Sequence, residues 1–177
     1  MIQQNITNIV STFTLLSHIF FVSVLLVYFF DRSFSEKISN IVNRFVLEIL
    51  FIISLSALVG SLLYSNVIGF PPCELCWIQR ILVYPQALLL FMAVLKKDKN
   101  IVTYLFPLSL MGGIISLYHS LTHFGLGDGV LECTSALGDC GKLYVFEYGY
   151  ITIPFMAFTI FAYLSLVSLI FLRSNKK

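Results

Sequence analysis

Four cysteines carry the most distinctive chemistry of this 177-residue chain, and they form two closely spaced pairs. Cys73 and Cys76 make a Cys-x-x-Cys sequence directly after two prolines, where an outer turn runs into a helix. The spacing lets the two sulfurs bond across one helical turn, and the partial positive charge of a helix N-terminus favours a thiolate. We therefore predict a redox-active disulfide, Cys73–Cys76.

Cys133 and Cys140 form the second pair, in a segment rich in glycine. A Cys133–Cys140 disulfide could be a static staple, which would stabilise the fold by roughly 2–3 kcal/mol through loop entropy. Beside another pair at a helix start, the interpretation we favour is a mobile relay that exchanges disulfides with a partner. Four incidental buried thiols would not be expected to fall into two such pairs.

Arg80 lies one helical turn after Cys76, on the same helix face. An arginine just inside a bilayer is costly, so a functional role is the default expectation. It could stabilise a Cys76 thiolate or donate hydrogen bonds to a carbonyl oxygen of a bound quinone. The alternative is that the side chain only reaches to lipid phosphate at the interface.

The composition indicates that these residues are positioned by membrane helices. Hydrophobic residues make up 58% of the chain and charged residues 11%, whereas soluble domains carry about 25% charged residues. About 20 apolar residues cross a hydrocarbon core of about 30 Å. Five stretches qualify, at roughly 9–30, 45–66, 77–95, 101–121 and 149–172. The first is expected to be a retained helix, because it lacks the basic start and the cleavage site of a signal peptide.

The basic residues predict the orientation of these five spans. Nine of the eleven lie in the 31–44 link, the 96–100 link and the C-terminal tail, which a five-helix topology puts on one side. That side should be the cytoplasm, with the N-terminus outside and the C-terminus inside. Both cysteine pairs then lie outside the cell, where disulfides persist. The net charge of +2 gives no reason to expect binding to nucleic acid.

Net oxidation of thiols needs an electron acceptor, because thiol–disulfide exchange only moves a disulfide from one place to another. The sequence has no phosphate-binding loop, no dinucleotide-binding glycine motif and no Cys-x-x-Cys-His haem motif. A lipid-soluble quinone, reached from the bilayer beside Cys76 and Arg80, is therefore the simplest acceptor.

At these residues the chain resembles the DsbB family of disulfide bond formation proteins, and in particular its short BdbC-like branch. The resemblance depends on the run Pro72-Cys-Glu-Leu-Cys-Trp-Ile-Gln-Arg80, on the outer pair and on the segment 150–156, and it covers about 45–172. It implies a four-helix transmembrane bundle at 45–177, preceded at 1–44 by an additional transmembrane helix and its link. It also implies a quinone-dependent oxidoreductase of a bacterial cell membrane.

The resemblance also implies a role for each site residue. Cys76 and Arg80 would bind the quinone, either ubiquinone or menaquinone. Cys133 would form a mixed disulfide with a DsbA-like thioredoxin-fold thiol oxidase. Cys140 would pass the electrons to Cys73. Three features depart from the family: Ile78 stands where tyrosine is common, the outer pair is closely spaced, and the first helix is additional.

The histidines are weaker candidates. His119 or His123, alone or paired with Glu132 or Asp128, could transfer protons during quinone reduction, since histidine titrates in the useful range. His18 is expected to be a packing or helix-contact residue. No metal site is predicted, because a set of two thiolates and two histidines would come from separate loops without the spacing of a zinc finger.

Two other interpretations remain open at this stage. A vitamin K epoxide reductase-like enzyme shares the bundle and the Cys-x-x-Cys, although its pairs usually occur in the other order. A membrane scaffold with two structural disulfides would have no catalytic activity.

Overall fold

The computed structural model describes residues 2–123 and 140–175. Each of the five predicted membrane spans falls on a helix. The helices are α1 (Ile2–Phe30), α2 (Arg32–Leu62), α3 (Glu74–Lys96), α4 (Ile101–Thr122) and α5 (Ile153–Ser174). A π-helical segment, Leu63–Val67, continues α2. All five helices are long and apolar enough to cross a membrane. In the described ranges the only β-structure is a single bridge between Glu147 and Ile151. The predicted all-α membrane fold is thus confirmed.

The polar 31–44 link is helical, which differs from the connection predicted from its composition. Asp31 caps the helix by accepting hydrogen bonds from the backbone of Ser33 and Phe34, so α2 begins directly after α1 ends. The backbone leaves helical geometry at Phe45 (φ −115°, ψ 22°), where the link joins the apolar part of α2. Val42, just before this kink, is buried, so the end of the link takes part in the packing of the bundle.

Helices α2 to α5 build the apolar core. Its largest fully buried aliphatic and aromatic side chains are Phe161, Leu50, Leu90 and Leu164. Helices α4 and α5 approach so closely at Gly112 that a Cβ there would overlap the ring of Phe161. Small residues allow such close packing of membrane helices, which have no hydrophobic driving force between them. This packing holds α4, which carries His119, against the bundle.

The two links and the end of α5 meet at one end of the bundle. The ammonium group of Lys99 donates to the backbone oxygen of Asn43, and the Asn43 amide donates to the Ser174 hydroxyl at 2.6 Å. The end of α5 and both links therefore lie together, as the alternation of five spans requires. The cysteine-bearing start of α3 lies at the opposite end.

Candidate active site

The Cys-x-x-Cys sequence lies at the start of α3, as predicted. Cys73 is the N-cap residue in extended geometry (φ −74°, ψ 174°), and Cys76 lies in the first helical turn. Cys73 is buried and Cys76 is half-buried, and both are free thiols here. A hydrogen bond joins their sulfurs at 3.1 Å. The two sulfurs are thus close enough to share a proton.

The surroundings of Cys73 favour its thiolate. The hydrogen bond with Cys76 is the largest influence and lowers the pKa of Cys73. Burial raises the pKa of Cys73, but a further hydrogen bond with His119 lowers it again, and the net direction is downward. In the reduced pair the negative charge therefore belongs at Cys73. A Cys76 thiolate, which Arg80 could stabilise, belongs to a different state, in which Cys73 is part of a disulfide.

His119 contacts this thiol directly, a contact that the sequence did not reveal. The ring is only 2% exposed, and its Nε2 lies 3.7 Å from Cys73 Sγ. On the other side, the amide of Gln79 donates to Nδ1 at 3.1 Å. A neutral ring that accepts at Nδ1 must carry its proton on Nε2, so it donates towards the sulfur. Gln79 therefore orients His119, and only tertiary packing shows this.

The second pair reaches the first through Cys140. Cys140 is disulfide-bonded and buried, and it packs in one cluster with Cys73 and Leu75. The Sγ atoms of Cys73 and Cys140 and a ring nitrogen of His119 all lie within 4.8 Å of one another. The predicted partner of Cys140, Cys133, lies outside the described residues, as do Asp128 and Glu132. The start of α3, the end of α4 and the segment that carries Cys140 thus bring these groups together.

His123 contacts the backbone of the second pair. Its Nε2 donates to the Cys140 carbonyl oxygen at 2.8 Å, and its ring meets the ring of His119 edge-on with centroids 5.4 Å apart. The contact ties the end of α4 to the segment that carries Cys140. His119 thus contacts the sulfur of Cys73, and His123 contacts the backbone of Cys140.

Arg80 lies beside the pair. Its Nη2 donates to the Ser61 backbone oxygen at 3.3 Å, and its guanidinium carbon lies 5.3 Å from the centre of the Trp77 ring. A guanidinium has five N–H donors, so within the described part of the chain donors remain for a further acceptor. Arg80 and Cys76 both face the same cavity.

This cavity has a volume of about 630 Å³ and extends from the cysteines between the helices. Its polar end is lined by Cys73, Cys76, Arg80, His119 and Cys140, and apolar side chains such as Ile53, Val83 and Ile160 line much of the rest. Ligand pockets are typically 300–1,000 Å³, mostly apolar, with a few convergent polar groups. A flat ring with two carbonyl oxygens and a long apolar tail matches this donor set, so the residues fit a quinone.

Comparison with known proteins agrees with this geometry. The family model described as "Disulfide bond formation protein DsbB" matches residues 43–171. The chain belongs to the DsbB family. This membership decides among the alternatives in favour of disulfide formation, and it makes the protein a membrane disulfide oxidoreductase. No solved structure matches the chain.

Curated relatives in the DsbB family cover most of the chain. It is 40% identical to the disulfide bond formation protein C of Bacillus subtilis over 67% of this chain and 87% of that protein. It is 38% identical to the probable disulfide formation protein C of Halalkalibacterium halodurans, over 69% and 89% respectively. It is 39% identical to the probable disulfide formation protein of Oceanobacillus iheyensis, over 81% of this chain and 97% of that protein. The BdbC-like resemblance is thus confirmed.

Proposed function

We propose that this protein reoxidises an extracytoplasmic, DsbA-like thioredoxin-fold thiol oxidase and passes the electrons to a membrane quinone, either ubiquinone or menaquinone. One observation carries the proposal. The sulfurs of Cys140 and Cys73, one from each pair, lie within 4.8 Å at the polar end of the cavity that Cys76 and Arg80 also line. Such an arrangement connects a partner-facing disulfide to a membrane-facing one.

The first exchange involves the outer pair. A thiolate of the reduced partner attacks Cys133 of the Cys133–Cys140 disulfide, and Cys140 leaves as a thiolate. The partner's second thiol then attacks the mixed disulfide, which releases the oxidised partner and leaves Cys133 and Cys140 reduced. Two electrons and two protons have moved from the partner to the outer pair. The assignment of Cys133 to this step comes from the family resemblance.

The second exchange uses the contact between the pairs. With the inner pair oxidised, the Cys140 thiolate attacks Cys73, and Cys76 leaves as a thiolate beside Arg80. Cys133 then attacks Cys140, so the outer disulfide re-forms and Cys73 leaves. Its departure is favoured because the environment of Cys73 lowers the pKa of that thiol. His119, which donates to the sulfur, stabilises the same charge.

The inner pair is then reduced and must lose two electrons. Cys76 and Arg80 would hold a quinone at this end of the cavity, and it would supply an acceptor for two electrons and two protons as the Cys73–Cys76 disulfide re-forms. Arg80 can donate hydrogen bonds to a carbonyl oxygen and stabilise the Cys76 thiolate, and the apolar lining keeps water away from both.

The same proposal includes the orientation of the protein in a bacterial cell membrane. The cysteine end lies opposite the end where the two basic links and the end of α5 meet, and basic residues favour the cytoplasm. The cysteine pairs then face outwards, where a soluble oxidase can dock. Labelling with a membrane-impermeant thiol reagent in intact cells tests this, and protection of the reduced pairs until the cells are lysed would contradict it.

Purified protein, a reduced thioredoxin-fold oxidase and a short-tailed quinone test the activity. Cys76→Ser should lower quinone reduction by at least about a thousandfold, because the inner disulfide cannot form. Ile81→Ser, a change on the lipid-exposed face of the same helix, should leave the rate within about twofold, as expected for a surface substitution. Wild-type protein that oxidises the partner no faster than quinone alone would overturn the proposal.

A further inference from the structure

Helix α1 lies outside the part of the chain that the family model matches, yet it borders the same cavity. Its cavity-lining residues are Val10, Phe13, Thr14 and Ser17. Their spacing of three and four places them on one helix face, so a single side of α1 is turned towards the cavity. Ile9 and Leu16 lie roughly a quarter-turn around the helix from this face and are exposed, as is the outer part of Phe13, so this side is suited to lipid.

Three tyrosine hydroxyls form hydrogen bonds with side chains of α1. Tyr148 contacts Thr12 at 3.0 Å, Tyr163 contacts Ser17 at 3.2 Å, and Tyr150 contacts Nδ1 of His18 at 3.2 Å. The hydroxyls of Thr12 and Ser17 already donate to carbonyl oxygens of their own helix, at 2.7 and 2.8 Å. They can therefore act only as acceptors, and the tyrosines must be the donors.

The His18 contact follows the same logic. Its Nε2 lies 2.8 Å from the hydroxyl of the buried Thr159, which itself donates to the Phe155 carbonyl oxygen at 2.9 Å. Thr159 must therefore accept a hydrogen bond from Nε2–H, and Nδ1 must accept one from Tyr150. The side chains in these contacts, which we call the His18 seam, all have defined partners, and they fix α1 against α5 and the turn at 147–151.

The seam runs along the rim of the cavity, since Ser17, Thr159 and Tyr163 belong to both. A helix held there covers a side of the cavity that would otherwise open to lipid between α2 and α5. We propose that α1 forms one side of the quinone-binding site and that Val10 and Thr14 contact the quinone. This inference rests on the proposed function and assigns to α1 a part in retaining the quinone.

The chain contains a single tryptophan, Trp77, beside Arg80, so quenching of its fluorescence by a tailed quinone reports binding without turnover. Val10→Phe and Thr14→Phe fill the cavity from α1, and Ile9→Phe and Leu16→Phe are the matched changes on its lipid-exposed face. The cavity-facing variants should bind the quinone at least tenfold more weakly. The lipid-facing variants should bind it as the wild type does.

Disulfide exchange with the reduced partner, measured in one turnover without quinone, should remain unchanged in Ile9→Phe and Leu16→Phe. Equal quinone affinity in the cavity-facing and lipid-facing variants would overturn the role of α1. Wild-type protein whose fluorescence does not respond to quinone would overturn the proposed function itself, and the inference with it.

A second measurement on the wild type does not depend on how the variants fold. A quinone with a photoreactive group on its ring should label the α1 peptide that contains Val10 and Thr14. Labelling confined to α2, α3 and α5 would contradict the proposal.

Discussion

Two seams between helices each centre on a histidine, buried His119 in one and half-buried His18 in the other, and they differ in what the histidine contacts. His119 lies between Gln79 of α3 and the sulfur of Cys73. His18 lies between Tyr150 and Thr159, where α1 meets the C-terminal region. Both rings use both nitrogens, so each has a defined orientation. The residue type is the same, and the two histidines differ in burial and in their partners.

The difference shows how a polar contact becomes functional. The chain of hydrogen bonds from His18 ends at the backbone oxygen of Phe155, an acceptor whose charge does not change. The contact of His119 ends at a thiol that gains and loses a proton, so a change in either group alters the other. We therefore interpret the His18 seam as structural and the His119 contact as part of the chemistry.

The largest expected effect comes from removing His119. With the other three cysteines replaced by serine, His119→Ala should raise the pKa of Cys73 by about one pH unit or more, since the hydrogen bond favours the charged form. The thiolate would then appear only at higher pH, and alkylation at neutral pH would slow. Ultraviolet absorbance of the thiolate against pH measures the shift. His18→Ala is the matched control and should leave the titration unchanged; equal shifts would remove the distinction between the seams.

Removing His18 should act on stability instead. His18→Ala loses two hydrogen bonds, and because each is worth about 0.6 kcal/mol on average inside a membrane protein, the free energy of unfolding should fall by about 1 kcal/mol. Unfolding in mixed detergent micelles measures it. Ser23→Ala, which removes an exposed hydroxyl bonded only within α1, should have a smaller effect. A loss for Ser23→Ala as large as that for His18→Ala would contradict the structural role.

The smallest effect is expected at Gln79, which acts on Cys73 only by orienting His119. Gln79→Ala should raise the pKa of Cys73 by less than about one pH unit, in line with the net value of one hydrogen bond. The same titration measures it. Gln86→Ala is the control, because Gln86 is also buried on α3 but contacts Ser109, which belongs to α4, instead. If Gln79→Ala matched His119→Ala in size, Gln79 would need a direct role.

Much of the fold was predictable because the bilayer leaves few choices. A span must be long and apolar, so the five helices could be located from composition alone. The link at 31–44 was missed because its polarity resembles a loop, while Asp31 caps a helix and the apolar residues at its end pack against the bundle. The extent of the family match, 43–171, also agrees with the resemblance at about 45–172.

The sequence by itself determined that Cys73 and Cys76 stand at a helix start with Arg80 one turn further on, because these relations depend only on local helix geometry. The tertiary structure alone decided that Cys140 lies beside Cys73, that Gln79 orients His119 and that α1 borders the cavity. Those contacts join residues from about 40 to more than 140 positions apart. Inside uniformly apolar helices no periodic pattern marks which faces will meet, so only packing reveals them.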